Sequence, residues 1–307
     1  MQTFNGDRHL KTRLLSAAGL LSSRIASCDS KTRRDSIYFS ARTACDPQFL
    51  CNKPGCDHRF YADEVGVPVS IAYAERALFL ELPDDIAAVW WKRFLSAIPV
   101  GVDLDEKAVF RALALYVLEA PEHGLLSYVH TGEQHAVISA VADLYRNNSQ
   151  DADAWKAAAD NARKAYGKSR YNNSRMESED ALMEAGCTAC RAAAYFAEAF
   201  SEPRYADTAI ATSGWCARYK YYALSLAGYR DQNKDVKVDE RGLVNVGEAL
   251  WASGMRVRDM DKCEHIGEGE RSKHYVRVAN HLVKLLKAAA PGNFITRPFY
   301  ALLSKVA

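Results

Sequence analysis

A mostly α-helical fold, an irregular multi-helix bundle behind a small N-terminal cysteine-rich module, follows from three observations. From about Trp90 onward the chain is a run of alanine-rich segments carrying tryptophan and tyrosine at helical spacing. In one such stretch, Ala154 to Tyr166, residues Trp155, Ala158, Ala159, Ala162 and Tyr166 recur on one face of a 3.6-residue period. Residues 29–69 break this texture: Pro47, Pro54, Gly55, Gly66 and Pro68 punctuate them, and Cys45, Cys51, Cys56 and His58 cluster there. Alanine has the highest intrinsic helix propensity, and faces of small residues let helices approach closely around a few large rings.

The elements follow in order. Residues 7–27 read as an amphipathic helix with Leu10, Leu14, Ala17, Ala18 and Leu21 on one face. Ser36 to Ala41 and Arg59 to Ala62 read as short strands flanking the cysteines. Ala72 to Leu82 reads either as a strand ending at Pro83 or as the start of a helix. Asp84 or Asp85 then caps a helix that turns Val89, Trp90, Phe94 and Leu95 inward and stops at Pro99 and Gly101. Asp103 or Asp105 opens the next, with Val109, Leu113, Tyr116 and Val117 inward. Thr131 precedes a helix over 133–146 with an apolar stripe of Val137, Ile138, Val141, Leu144 and Tyr145, and Asp151 or Asp153 caps the Trp155 helix.

Helices follow over 178–200, with Leu182, Ala189, Ala193, Phe196 and Phe200, and over 205–229, with Trp215, Tyr219, Tyr222 and Leu226. A less regular one, interrupted by glycines, is expected over 236–255. The last spans 273–290, with Val278, Leu282, Leu285 and Leu286, and stops at Pro291-Gly292. No fixed period emerges, so a solenoid is not expected. The expected division is 1–70, helix plus cysteine-rich module, and 71–307, the alanine-rich helical domain.

Composition sets the outer limits. The chain has 307 residues, 49% hydrophobic and 25% charged, which suits a globular protein with a sizeable core. Forty Lys and Arg against 38 Asp and Glu leave a formal charge of +2, too balanced to point to nucleic acid by net charge. Residues 8–34 are locally basic (Arg8, Lys11, Arg13, Arg24, Lys31, Arg33, Arg34) and read as a solvated helix face, with a nucleic-acid-binding arm as the alternative. Ile25-Ala-Ser-Cys28 imitates the end of a lipoprotein leader, but Arg24 interrupts where the apolar stretch should continue. No segment approaches the roughly 18 apolar residues of a membrane span. A cytoplasmic protein without a membrane partner is expected.

Eight cysteines are many for such a compartment, and clustered thiols there point more to metal or redox chemistry than to disulfides. Cys45, Cys51, Cys56 and His58 offer the four N/S donors that tetrahedral zinc requires, on turns shaped by Pro54-Gly55. The stretch from Phe49 to Phe60 resembles half a zinc ribbon, although no second two-cysteine knuckle follows soon after. Zinc on these four residues, or on some of them with Cys187 and Cys190, stands beside the alternative of free thiols. Cys187 and Cys190 form a CxxC within an alanine-rich helix rather than after a strand, and read as core packing rather than a redox pair.

Glu122, His123, His130, Glu133 and His135 bring imidazole and carboxylate close in sequence but match no metal or acid-base motif, so turn or surface histidines are expected; Glu264, His265 and His274 give a weaker signal still. Arg218-Tyr-Lys-Tyr-Tyr222 interleaves basic and aromatic residues, read as tyrosines inward and charges outward. No phosphate loop, nucleophile elbow or HExxH occurs, and no catalytic constellation is assigned.

The alanine texture with Trp and Tyr knobs over residues 130–290 resembles a loose group of all-helical accessory proteins from phages and mobile bacterial elements. The resemblance implies a non-enzymatic protein that binds another macromolecule, for instance in immunity or antagonism of host defence. Aromatic knobs on small-residue helices point to a protein partner, with self-association. A zinc-containing nucleic-acid-binding protein is the alternative. The zinc reading predicts about one equivalent of zinc in protein expressed with the metal, with metal loss and a lowered melting temperature in Cys51→Ser or Cys56→Ser, since a structural zinc supplies folding energy to so small a module. Metal content below about a tenth of an equivalent contradicts it.

Overall fold

The computed structural model describes residues 2–25, 62, 66–167, 178–232 and 257–289. The chain is mostly helical: nine α-helices and no strand occur among the described residues. They are α1 (Arg8–Ile25), α2 (Val69–Glu81), α3 (Asp84–Ala97), α4 (Glu106–Glu119), α5 (Gly132–Arg146), α6 (Ala152–Tyr166), α7 (Ser178–Ala199), α8 (Tyr205–Gln232) and α9 (Val257–Ala288). None is long and apolar enough to cross a membrane, among the described residues. Cys45, Cys51, Cys56 and His58 lie outside the described residues, as do the first candidate strand and the helix expected over 236–255. Ala62, the one described residue of the second candidate strand, is helical.

The chain divides into two compact units, one of residues 1–113 and 279–307, the other of 114–278. In the first, α1 and α2 both pack on α3. The sequence left 72–82 open between strand and helix; it is helical because nearly every position of α2 is buried, so its apolar run has no alternation. The carboxylate of Glu106 accepts from the Ser70 backbone N–H (2.8 Å) and hydroxyl (2.7 Å), satisfying first-turn donors of α2 that Pro68 cannot cap. At the other end of α3, the Lys11 ammonium donates to the carbonyls of Ser96 (3.1 Å) and Ile98 (2.5 Å), where the last helical acceptors would otherwise be unpaired.

The N-terminal turn, Thr3–Gly6, is pinned to the loop after α3. Thr3 exchanges main-chain bonds with Val102 and Gly101, and its buried hydroxyl donates to the Pro99 carbonyl at 2.6 Å. Gly66, at φ +70°, lies so close to the Gln2 carbonyl that a methyl group there would collide with it.

One inward expectation fails in this unit. Val89 is 57% exposed, because Ala87, Trp90, Trp91, Phe94, Leu95 and Ile98 set the buried face of α3 at i, i+3, i+4, i+7, i+8 and i+11. Two adjacent tryptophans fix the rotation of the helix, and Val89 falls on the other side. Trp90 meets the last turns of the chain's described part through its indole N–H, which donates to the Ala279 carbonyl at 3.2 Å.

In the second unit α7 is central, packed by α6 on one flank, α8 on another and α5 as well. Its buried face is nearly all small: Ala181, Ala185, Cys187, Ala189, Cys190, Ala192, Ala193, Ala194 and Ala197 surround Phe196. Asp151, one of the two caps expected for α6, caps it, and Thr131 caps α5, whereas Pro83 holds the cap position of α3 and the expected caps Asp84 and Asp85 lie in its first turn. Thr131 accepts from the Gln134 N–H at 3.2 Å, and Asp151 accepts from the N–H groups of Asp153 and Ala154. In α6, Trp155, Ala158, Ala159 and Ala162 are buried as the period requires.

The final helix begins at Val257, sixteen residues before the expected start at Lys273. Gly267 and Gly269 lower its intrinsic propensity, which hid it. Packing overrides propensity there: a methyl at Gly267 would come within 2.8 Å of the Arg218 carbonyl, so this glycine marks a close approach of α9 to α8.

Candidate functional site

Two groups of side chains in the second unit concentrate its chemistry. The first is a buried polar seam. His274 on α9 is fully buried, and its Nε2 lies 2.8 Å from the Ser213 hydroxyl on α8. That hydroxyl also lies 2.7 Å from the Ile210 carbonyl, one turn earlier on α8. A hydroxyl has one proton to donate; given to Ile210, it leaves the imidazole Nε2–H donating to Ser213 Oγ. Ser213 is itself fully buried, so the pair ties α8 to α9 rather than presenting a nucleophile to solvent.

Nearby, His123 Nε2 sits 2.7 Å from the Tyr116 hydroxyl, with the two rings edge to face. Burial pushes the His274 imidazole down to about 3, reinforced by His123 and Arg277 and partly offset by the His123 carbonyl. His123 is lowered too, first by burial and then by Arg277, against a small opposing effect of Glu122. Both rings are therefore neutral at pH 7.

The histidines singled out by sequence do not converge. His130 offers its backbone N–H to the buried Gln134 side chain at 3.0 Å, while His135 is exposed and pairs with Ser139. No group of three or more His, Cys, Asp or Glu poised to hold a metal occurs among the described residues. Cys187 and Cys190 are buried thiols on α7 outside any disulfide, and burial pushes Cys190 up to about 12, with smaller contributions from Cys187 and Glu133. A thiol held that firmly protonated is a poor nucleophile, which agrees with core packing. His274, the weakest signal in the sequence, is the most deeply placed imidazole; only its later helical surroundings distinguish it, and Ser213 carries no local signal at all.

The second group is a surface one. Trp215, Arg218, Tyr219, Lys220, Tyr221 and Tyr222 of α8 are all half-buried, so the tyrosines expected inside are only partly so. The guanidiniums of Arg218 and Arg271 lie 5.0 and 4.3 Å from the Trp215 ring, and Glu268 joins them, 2.6 Å from Arg218 and 3.0 Å from Arg271. Lys220 donates to the Ser127 carbonyl at 2.9 Å and rests over Tyr128. The cations read as outward charges in the sequence thus make contacts within the unit, and rings and guanidiniums are both partly exposed there. Leu224 and Ile266, on the same two helices, are 48% and 47% exposed. No family model, no curated protein and no solved structure matches the chain.

The neutral His274 makes stability depend on acid. An unfolded histidine titrates near 6.5, so below that the unfolded state takes up a proton that the folded seam refuses until about pH 3. This contribution is complete above about pH 6.5 and is lost as pH falls, on the order of 2 kcal/mol by about pH 5. Urea unfolding of wild type and His274→Gln at both pH values should show a steeper loss for wild type; equal slopes contradict the neutral buried ring.

Proposed function

We propose that the protein is a non-enzymatic helical recognition protein that holds a protein partner on the α8–α9 face of its second unit. The observations that support this are the partly exposed Trp215, Arg218 and Tyr219 of α8, gathered with Arg271 and Glu268 of α9, and the exposed apolar Leu224 and Ile266 on the same two helices. Tryptophan, tyrosine and arginine supply most binding energy at protein interfaces, since they bring large, nearly rigid contact area at small entropic cost. Here the guanidiniums are already neutralised by Glu268 and Glu264, which lowers the cost of burying them beneath a partner. The groups with chemical potential, Ser213, His274 and Cys190, support the same reading because each is buried and held neutral. Self-association is read from the aromatic knobs on small-residue helices, and a role in mobile-element immunity or host-defence antagonism from the compositional resemblance.

Salt separates this reading from nucleic-acid binding. Protein immobilised and exposed to extract of its native host should capture the same protein at about 50 and about 200 mM salt, because apolar anchoring is weakly screened, whereas six or more phosphate contacts lose on the order of a thousandfold over that range. Leu224→Glu with Ile266→Glu should abolish capture while the circular dichroism spectrum stays unchanged. Retention of nucleic acid alone, released between those salt concentrations, contradicts the proposal.

A further inference from the structure

A separate patch of the second unit carries an unneutralised cation in a built setting. Arg191 on α7 is exposed, and its guanidinium lies 5.4 Å from the Tyr166 ring and 5.7 Å from the Tyr195 ring. Its Nε reaches the Tyr195 hydroxyl at 3.4 Å, and the Tyr166 hydroxyl is a second hydrogen-bonding neighbour. Tyr195 in turn stacks on Tyr205, at 6.1 Å and 15° between planes, and Arg204 covers Tyr205 at 5.2 Å. Two helices and the start of a third therefore hold one guanidinium between rings, with phenol hydroxyls beside it.

The surrounding charges decide what it can receive. Arg163 pairs with Asp160 and Glu198, and Arg204 pairs with Glu202. Among the described residues no carboxylate pairs with Arg191. Arg163 and Arg204 are thus each neutralised, and Arg191 is the guanidinium of this patch that no acid among the described residues pairs with. Such a guanidinium is completed by a carboxylate. A guanidinium fork donates two parallel bonds to a carboxylate, and a phenol hydroxyl that accepts from the guanidinium keeps its own proton to donate. Clamping by two rings also fixes a side chain that is otherwise long and mobile.

We infer that Arg191, with Tyr166 and Tyr195, is a receptor for the carboxylate of an acidic peptide segment, supplied by the protein partner. The inference rests on the reading of the protein as a recognition module, and it names a second contact point with opposite salt behaviour to the α8–α9 face. Tyr195 and Tyr205 offer ring surface to the residues flanking the acid.

The test uses the full chain with 15N-labelled arginine, the Nε–Hε signal of Arg191 being assigned by its absence in Arg191→Lys. A capped tetraglutamate peptide, its tetraglutamine counterpart and a short oligothymidylate are the probes. Tetraglutamate should shift the Arg191 signal saturably and tetraglutamine should leave it unmoved. Arg191→Lys, which keeps the charge but loses the fork, should weaken tetraglutamate binding about tenfold, read from the remaining shifted signals, and Tyr166→Phe or Tyr195→Phe about threefold. No saturable shift, an equal shift with tetraglutamine, or tighter binding of oligothymidylate overturns the inference. Partner capture that persists alongside such a result leaves the recognition function standing and removes only this site; a saturable shift without partner capture does the reverse.

Discussion

Where helices meet through alanine and glycine, their backbones come close enough for a large ring to span the gap, and its polar end then has to meet main chain rather than water. Four rings of the described helices meet this constraint. The Tyr145 hydroxyl on α5 ends on the Phe196 carbonyl of α7 at 2.6 Å, and that of Tyr275 on α9 ends on the Ala211 carbonyl of α8 at 2.6 Å. Trp155 donates to the Ser149 carbonyl at 3.1 Å, and in the first unit Trp90 donates to Ala279. A buried ring without such a partner would leave its donor unsatisfied at a cost of about 1–3 kcal/mol, so Tyr145, Tyr275 and Trp90 each select one position along the neighbouring helix, while Trp155 ties its helix to the loop before it. Glycine serves the same geometry: Gly214 lies against the Tyr275 ring and Gly186 against the Gln134 side chain, where a methyl would overlap.

The same constraint shapes the surfaces that can act. Rings that reach a carbonyl are consumed by the core, whereas those at the edge of a seam settle under guanidiniums, as Trp215 does between Arg218 and Arg271. The result is a helical face whose charges cancel locally and whose rings remain half open. Arg191 differs in having rings but no acid paired with it among the described residues, and this asymmetry in charge, not in aromatic content, distinguishes the two patches.

Much of the helical plan was legible because apolar period and caps agree. Asp151 stands where a cap was expected, and Trp155, Ala158, Ala159 and Ala162 are buried as their spacing requires. Three features were not legible, each for a tertiary reason. Val89 is turned outward by the demands of its tryptophan neighbours, and the first half of α9 is stabilised by close approach at Gly267 despite poor propensity. The setting of Trp215 and Arg218 on α8 depends on Arg271 and Glu268 of α9, far along the chain. The candidate surfaces were visible only as residue types: Arg218 to Tyr222 read as ordinary amphipathy, and the meeting of Tyr166, Arg191, Tyr195 and Tyr205 joins residues that no local window contains.

The most direct measurement of this account is the equilibrium urea unfolding of Tyr145→Phe. The substitution keeps the ring, and its edge contacts with Trp155, but deletes the buried hydroxyl that reaches Phe196. If ring tips on main-chain carbonyls fix the helix seams, stability should fall by about 1–3 kcal/mol with an unchanged denaturant slope. A change within about 0.3 kcal/mol would mean that apolar packing alone positions α5 on α7, contrary to this account.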